Sequence, residues 1–300
     1  MQGGIRDIPE PEVFALREDS RMESALAGQG RGEALFFMAS LFFLFIAFVA
    51  AVLGRKSLSA ETSGKSGPER GAARPVARIS CIAALVACLA SVSLRVAYSG
   101  RLPFASMYEF GLLLCLALDG FLVFLAFSRA DRAVLIAATL CDFVMGSIIL
   151  LLFDTAHPLV PALKSAWLAA HVATAVIAYC CLAMSAALAA AALAVSREAE
   201  RATSLELLVN RCVAIAFPFL TLLIITGAIW AEYAWGSFWR WDPKETWALV
   251  TWIVYLGYLH LVRTRGWKGR RAMIAAIAGF GVVLFTFFGV NLLLSGLHSY

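Results

Sequence analysis

The run WGSFWRWDPKETW, Trp235 to Trp247, decides how the rest of the chain must be arranged. It places four Trp and one Phe within thirteen residues, between two long apolar segments. It also holds four charged side chains, each of which would cost several kcal/mol at the centre of a bilayer: Arg240, Asp242, Lys244 and Glu245. We therefore expect the run at a membrane–water boundary.

The second half of this run predicts the start of a helix. Asp242 can accept hydrogen bonds from the first free N–H groups, Pro243 fits the first turn, and Glu245 follows the cap by three residues. Capping, together with the usual enrichment of Trp at membrane interfaces, would explain the run without any binding site. A binding function is favoured by three of the four histidines, which lie on or beside apolar segments: His171, His260 and His298.

The composition excludes a soluble domain. Of the 300 residues, 61% are hydrophobic and 15% are charged, against usual values of about 45–50% and 25%. One crossing needs about 20 apolar residues. The sequence thus predicts an all-α polytopic membrane protein with helices at 34–53, 79–98, 109–128, 133–153, 165–195, 212–231, 243–262 and 272–296. Residues 1–33 are predicted to form a flexible outer tail, and residues 34–300 the transmembrane domain, with a tryptophan-rich outer loop at about 231–244.

Eight crossings place both termini on one side of the membrane. The loops of the other side hold 16 of the 25 Lys and Arg residues: 54–78, 129–132, 196–211 and 263–271. Because basic loops stay in the cytoplasm, both termini are predicted to be extracytoplasmic, together with the tryptophan-rich run, His171 and His298. The net charge of +5 lies mainly in these short loops, so it indicates topology and not nucleic-acid binding.

His260 does not belong to this outer group. It follows Asp242 by 18 residues, about 27 Å along a continuous helix, which carries it towards the cytoplasmic end. Two imidazole nitrogens that ligate one iron lie only about 4 Å apart. The sequence therefore predicts a second, separate site at His260.

A flat, apolar, iron-bearing ring would suit this set of residues. Neutral imidazoles ligate iron from both faces, Trp side chains contact a macrocycle, and Arg or Lys can meet its carboxylates. Candidates for the last role are Arg240, Arg101 and Arg95, although Arg95 can instead snorkel to the outer interface. For His171 and His298 the alternative is an interfacial histidine without a ligand. The seven Cys contain no CxxC spacing, so we expect no disulfide framework, zinc site or CxxCH haem attachment.

The segment WGSFWRWDPKETWALVTWIVYLGYLH, Trp235 to His260, resembles the tryptophan-rich signature of haem-handling membrane proteins, and specifically the CcsA (ResC) family of System II cytochrome c biogenesis. GFGVVLFTFFGVNLLLSGLHSY at Gly279–Tyr300, WLAAHV around His171 and MYEF at Met107–Phe110 are similar to the same family. The resemblance implies that His171 and His298 are the axial ligands of haem at an outer site. Its platform would be formed by Trp235, Trp239, Trp241 and Asp242, and His260 would be one ligand of a second haem position.

The resemblance also implies cargo and partners. The cargo would be haem b, transported outward and presented to the CxxCH segment of apocytochrome c, and the partner would be a CcsB (ResB) membrane protein. Haem lyase activity would belong to the holocytochrome c synthase that the two form together. The membrane would be the bacterial inner membrane or its plastid thylakoid equivalent.

The residues are also compatible with two other classes of function. A membrane b-type cytochrome that oxidises quinol would need two complete histidine pairs, and the chain has three suitable histidines. A haem-free transporter would use the tryptophans only as interfacial anchors. Among related families, the System I proteins that deliver or ligate haem are the nearest alternative.

Overall fold

The chain folds into a bundle of helices in a computed structural model, which describes residues 30–53, 73–128, 132–154, 163–195 and 198–294. These residues contain the eight predicted helices and no strand, which confirms the all-α prediction. The helices are α1 (Gly30–Leu53), α2 (Ala73–Ser99), α3 (Met107–Phe127), α4 (Arg132–Leu151), α5 (Ala166–Ala194), α6 (Ala199–Trp235), α7 (Pro243–Arg263) and α8 (Arg270–Leu293). His157 and His298 lie outside the described residues.

Seven of these helices, all except α7, are long and apolar enough to cross a membrane. The chain is therefore a polytopic integral membrane protein. The 21 residues of α7 include two Trp, two Tyr and one His, which make this helix less apolar than the others. It packs against both α6 and α8, so it is part of the same bundle.

Three helices begin at least four residues earlier than the sequence predicted, and one of them is the second, which begins at Ala73 instead of residue 79. The first begins at Gly30 instead of residue 34, and it buries Glu33. The sixth begins at Ala199 instead of residue 212, and its first turns carry Glu200, Arg201 and Glu206. Glu and Arg favour helix but lower the hydropathy, so a search for apolar runs misses these turns.

The centre of the bundle is α5, which packs against α3, α4, α6 and α8. Its second half is rich in Ala, and the small side chains let neighbouring helices approach closely. The first turns of α5 lie at one end of the bundle, next to the last turns of α6. This end also holds the start of α7, the end of α8 and the segment between α2 and α3.

The loop between α6 and α7 is fixed at both ends by local chemistry. Gly236 takes a left-handed conformation with φ 69°, and its N–H donates to the Glu232 carbonyl at 2.8 Å, which ends α6. At the start of α7, Asp242 Oδ1 accepts from the Lys244 N–H at 3.0 Å, and Glu245 Oε2 accepts from the Asp242 N–H at 3.2 Å. The predicted helix start at Pro243 is confirmed.

Candidate functional site

A cavity of about 430 Å³ lies where α5, α6, α7 and α8 meet at this end of the bundle. Its volume falls within the usual range for cofactor and small-molecule sites. Its walls are mainly apolar and aromatic, with a small number of polar side chains. The aromatic and titratable side chains among the lining residues are Phe104, Phe110, His171, Tyr179, Trp230, Phe238, Trp239, Lys244, Glu245 and Phe287.

His171 is the histidine of this cavity, and its orientation is set by α6. Its Nδ1 lies 2.9 Å from the carbonyl oxygen of Leu223. A carbonyl only accepts hydrogen bonds, so Nδ1 must carry the proton in the neutral ring, and Nε2 keeps its lone pair. Nε2 makes no hydrogen bond to any residue that the structure describes. It is therefore available as a metal ligand, with the other nitrogen held by a second group as is usual at metal-binding histidines.

The close approach of His171 to α6 depends on Gly227. A Cβ at this position would lie 2.7 Å from His171 Nδ1 and 2.8 Å from Cε1, so the imidazole would have to move. Leu223, Gly227 and Trp230 recur at helical spacing and all line the cavity. One face of α6 thus provides the carbonyl of Leu223, the space at Gly227 and the aromatic side chain of Trp230.

Trp230 forms that aromatic wall beside the imidazole. Its ring lies nearly parallel to the His171 ring, with 18° between the planes and 6.3 Å between the centroids. Trp235 packs edge-on against Trp230 at 4.8 Å, so it supports the wall without lining the cavity. Trp230 is not among the residues predicted from the sequence, where its only signal is an aromatic side chain near the outer end of the sixth predicted helix.

The tryptophans of the loop take different positions. Trp239 lines the cavity, and its indole N–H is buried with no acceptor among the described residues. Trp241 is 69% exposed and contacts Trp239 edge-on at 5.7 Å. Its φ of 58° is unusual for a residue with a side chain. Arg240 donates from its guanidinium to the Trp235 carbonyl, which ties the loop back to the end of α6.

Asp242 lies beside the cavity and does not line it. It is buried, and its carboxylate caps α7 as described above. The sequence had assigned it to the platform of the site. The geometry gives it a structural task, which is to fix where α7 begins and hence where Lys244 and Glu245 enter the cavity wall.

The two remaining histidines of the sequence prediction lie elsewhere. His260 is exposed near the C-terminal end of α7, which runs without a break from Pro243 to Arg263, and it does not line the cavity. His298 lies outside the described residues. Of the two predicted ligands that the structure describes, His171 lies at the cavity and His260 does not, and the separate site at His260 stays a prediction.

Arg95 is not at an interface, so the snorkelling expectation is wrong. It is 2% exposed and pairs with Glu109 at 3.0 Å and with Glu33 at 3.5 Å, and it donates to the Asp154 carbonyl at 2.7 Å. Arg101 pairs with the other oxygen of Glu109 at 2.8 Å. Because each guanidinium already faces a buried carboxylate, neither is well placed to meet the carboxylates of a ligand.

The fold and the cavity define a class: a polytopic membrane protein in which one imidazole faces an aromatic-walled cavity near the end of the bundle. The family described as Cytochrome C assembly protein matches residues 104–298. The chain belongs to this family and, within it, to the CcsA proteins.

Three relatives illustrate the similarity, and each carries the name cytochrome c biogenesis protein CcsA. The protein of Synechococcus sp. (strain CC9902) is 36% identical over 265 residues, which cover 75% of this chain and 86% of the relative. That of Mesostigma viride is 38% identical over 252 residues, with coverage of 70% and 80%. That of Chlamydomonas reinhardtii is 46% identical over 153 residues, with coverage of 48% and 43%.

A solved structure shares the fold. The cytochrome c heme lyase CcmF superposes with a TM-score of 0.61 over 86% of this chain, and the two sequences are 22% identical. The chain spans 46% of the length of that protein. This likeness shows a common helical architecture and nothing finer.

Proposed function

We propose that this chain binds haem in the cavity with His171 as an axial ligand, and that it presents the haem for attachment to apocytochrome c. Family membership supports a role in cytochrome c maturation, since the relatives are named for cytochrome c biogenesis. The name of the structural neighbour, a heme lyase, agrees with haem as the molecule that is handled. Haem b is then the transported substrate and not a resident cofactor.

One observation carries the proposal: His171 donates from Nδ1 to the Leu223 carbonyl and so leaves Nε2 free beside an aromatic-walled cavity. An unprotonated imidazole nitrogen is the common protein ligand of haem iron. Aromatic side chains offer the faces and edges on which a flat macrocycle packs. Fixing the tautomer from α6 also raises the basicity of the ligating nitrogen.

His298 is proposed as the second axial ligand, as the family resemblance implies. Asn291 of α8 lines the cavity, and it accepts a hydrogen bond from Lys244 at 3.0 Å. His298 follows Asn291 by seven residues; α8 ends at Leu293, and five further residues span up to about 18 Å when extended. His298 is therefore within reach of the cavity.

The remaining parts of the assembly follow from the same proposal. His260 would ligate haem at a second position on its way outward, opposite a ligand from a CcsB-type partner. The tryptophan-rich loop with Trp239, Arg240 and Trp241 would face the extracytoplasmic side, where apocytochrome c arrives. In the attachment step, each cysteine S–H of the CxxCH segment adds across one haem vinyl C=C. The sulfur bonds to carbon and the proton goes to the neighbouring carbon, which forms a thioether.

His171→Ala tests the proposal directly, because it removes the only imidazole in the described lining. We expect the purified variant to lose most of its haem and to assemble no c-type cytochrome, while its level in the membrane stays normal. The matched control is His157→Ala, which removes the histidine that the sequence places in the outer loop after the fourth helix.

A second variant separates ligation from folding. His171→Gly and His171→Ala both leave room for free imidazole, so added imidazole should restore haem absorption to either variant if the variant has lost the ligand and not the fold. Full haem content and normal cytochrome assembly in both His171 variants would remove His171 from the site.

A further inference from the structure

Lys244 is the one lysine or arginine among the described residues that line the cavity. It lies in the first turn of α7, and its Nζ donates to Asn291 Oδ1 of α8 at 3.0 Å. Asn291 is itself held, because its Nδ2 donates to the Phe287 carbonyl at 2.7 Å. An ammonium has three donors, and the partner it has here is a neutral amide.

No carboxylate pairs with this ammonium within the described part of the chain, where the ion pairs involve Arg95, Arg101 and Arg201. A cation in an apolar cavity is costly unless a charged or strongly polar partner meets it. The Asp242 carboxylate attracts the ammonium without forming an ion pair with it, so Lys244 keeps donor capacity that the described residues do not use.

A second donor faces the same cavity. The indole N–H of Trp239 is buried and, within the described residues, has no acceptor. Buried polar groups are nearly always hydrogen-bonded, so a donor left open beside a cavity points to an acceptor on a ligand. Together, Lys244 and Trp239 offer what a carboxylate needs, which is one charged and one neutral donor.

Glu245 also lines the cavity and must be considered with them. Its Oε2 accepts from the backbone N–H groups of Arg240 at 2.9 Å and of Asp242 at 3.2 Å, while Oε1 is buried and has no donor in the described part of the chain. The two N–H groups and the N-terminus of α7 stabilise this negative charge. The backbone thus meets the charge of Glu245. The ammonium of Lys244 is attracted by the charge of Asp242, but it donates to the neutral Asn291 amide and to no carboxylate among the described residues.

We propose that Lys244, assisted by the Trp239 N–H, binds a carboxylate of the tetrapyrrole substrate. This inference rests on the proposed function and adds the orientation of the bound tetrapyrrole. The iron lies towards His171 on α5, and an acidic side chain of the ring lies towards α7 and α8. The cavity would therefore select tetrapyrroles with free carboxylates over their esters. Arg240, Arg101 and Arg95, the candidates from the sequence, are engaged elsewhere.

The test compares two ligands on the purified full chain: haem and haem dimethyl ester, which keeps the iron and the ring and loses the acid groups. Absorbance titrations give the affinity of each ligand for the unaltered chain, for Lys244→Met and for the control Lys164→Met. Lys164 is an exposed lysine just before α5. A hydrogen bond between charged groups predicts roughly tenfold to hundredfold weaker haem binding by Lys244→Met, with little change for the ester. Lys164→Met should match the unaltered chain.

The outcomes separate this inference from the proposed function. If Lys244→Met weakens haem and ester equally, or if the unaltered chain does not prefer haem over the ester, Lys244 does not bind the carboxylate, although His171-dependent haem binding can still hold. If the unaltered chain binds neither ligand, the proposed function fails and this inference fails with it.

Discussion

At the residue scale, the candidate site depends on a residue without a side chain. Gly227 leaves the space in which the His171 imidazole reaches the Leu223 carbonyl. The hydrogen bond to the Leu223 carbonyl also selects Nδ1 as the protonated nitrogen of the imidazole. The neighbouring helix thus orients the proposed ligand histidine in the absence of haem.

Gly227→Ala should therefore displace the His171 side chain, although His171 itself is unchanged. The new Cβ would lie 2.7 Å from Nδ1, so the ring must turn away and lose its hydrogen bond to Leu223. We expect reduced haem content and an altered haem spectrum at an unchanged protein level, since Ala favours helix over Gly by about 1 kcal/mol. The control is Gly257→Ala on α7, where an added Cβ meets nothing within 4 Å. Equal spectra for the two variants would contradict the assigned role of Gly227.

At the scale of the elements, a buried ion cluster joins three helices next to the cavity wall. Glu33 of α1, Arg95 of α2 and Glu109 of α3 form its centre, and Arg101 pairs with Glu109 from the segment between α2 and α3. Glu109 also accepts from the Ala105 N–H at 2.7 Å. Because Ala105 lines the cavity, this cluster fixes the position of the wall as well as the helices.

Glu109→Gln should destabilise the protein strongly. The substitution removes one buried charge and leaves Arg95 and Arg101 undercompensated, and breaking a buried pair costs roughly 3–5 kcal/mol. Thermal unfolding in detergent, followed by protease resistance, should show a clearly lower midpoint. Glu198→Gln is the comparison, because Glu198 pairs with Arg201 where both side chains are about half exposed; surface pairs contribute only about 0–1 kcal/mol. An unchanged midpoint for Glu109→Gln would show that the cluster does not hold the helices.

At the scale of the whole molecule, the cavity and the basic loop between α7 and α8 lie at opposite ends of α7. The starts of α5 and α7 and the ends of α6 and α8 meet at the cavity, whereas the basic loop between α7 and α8 belongs to the other end of α7. The charge distribution then predicts that the cavity end faces the extracytoplasmic side.

Cysteine labelling in spheroplasts of an expressing bacterium checks this orientation. Tyr233→Cys replaces an exposed residue in the last turn of α6, and Lys268→Cys an exposed residue in the loop between α7 and α8. We expect a membrane-impermeant maleimide to label position 233 in intact spheroplasts and position 268 only after lysis. The seven native Cys are buried or half-buried, which keeps the background low. The reverse pattern would invert the topology.

The sequence predicted the helices well because each apolar run and cap is a local feature. The start of α7 at Pro243 is an example, since Asp242 and Glu245 act on backbone groups next to them. Contacts between helices could not be predicted in the same way. The roles of Trp230 and Gly227, and the pairing of Arg95 with Glu33, depend on how each helix is rotated about its axis. In a helix that is apolar on all sides, the sequence pattern leaves that rotation open.

The most direct test of the central claim is a cryo-electron microscopy structure of the chain loaded with haem. We predict tetrapyrrole density in the cavity between α5, α6, α7 and α8, with its iron about 2 Å from Nε2 of His171 and with Nδ1 still donating to the Leu223 carbonyl. Haem bound outside this cavity, with no bond between its iron and His171, would contradict the account.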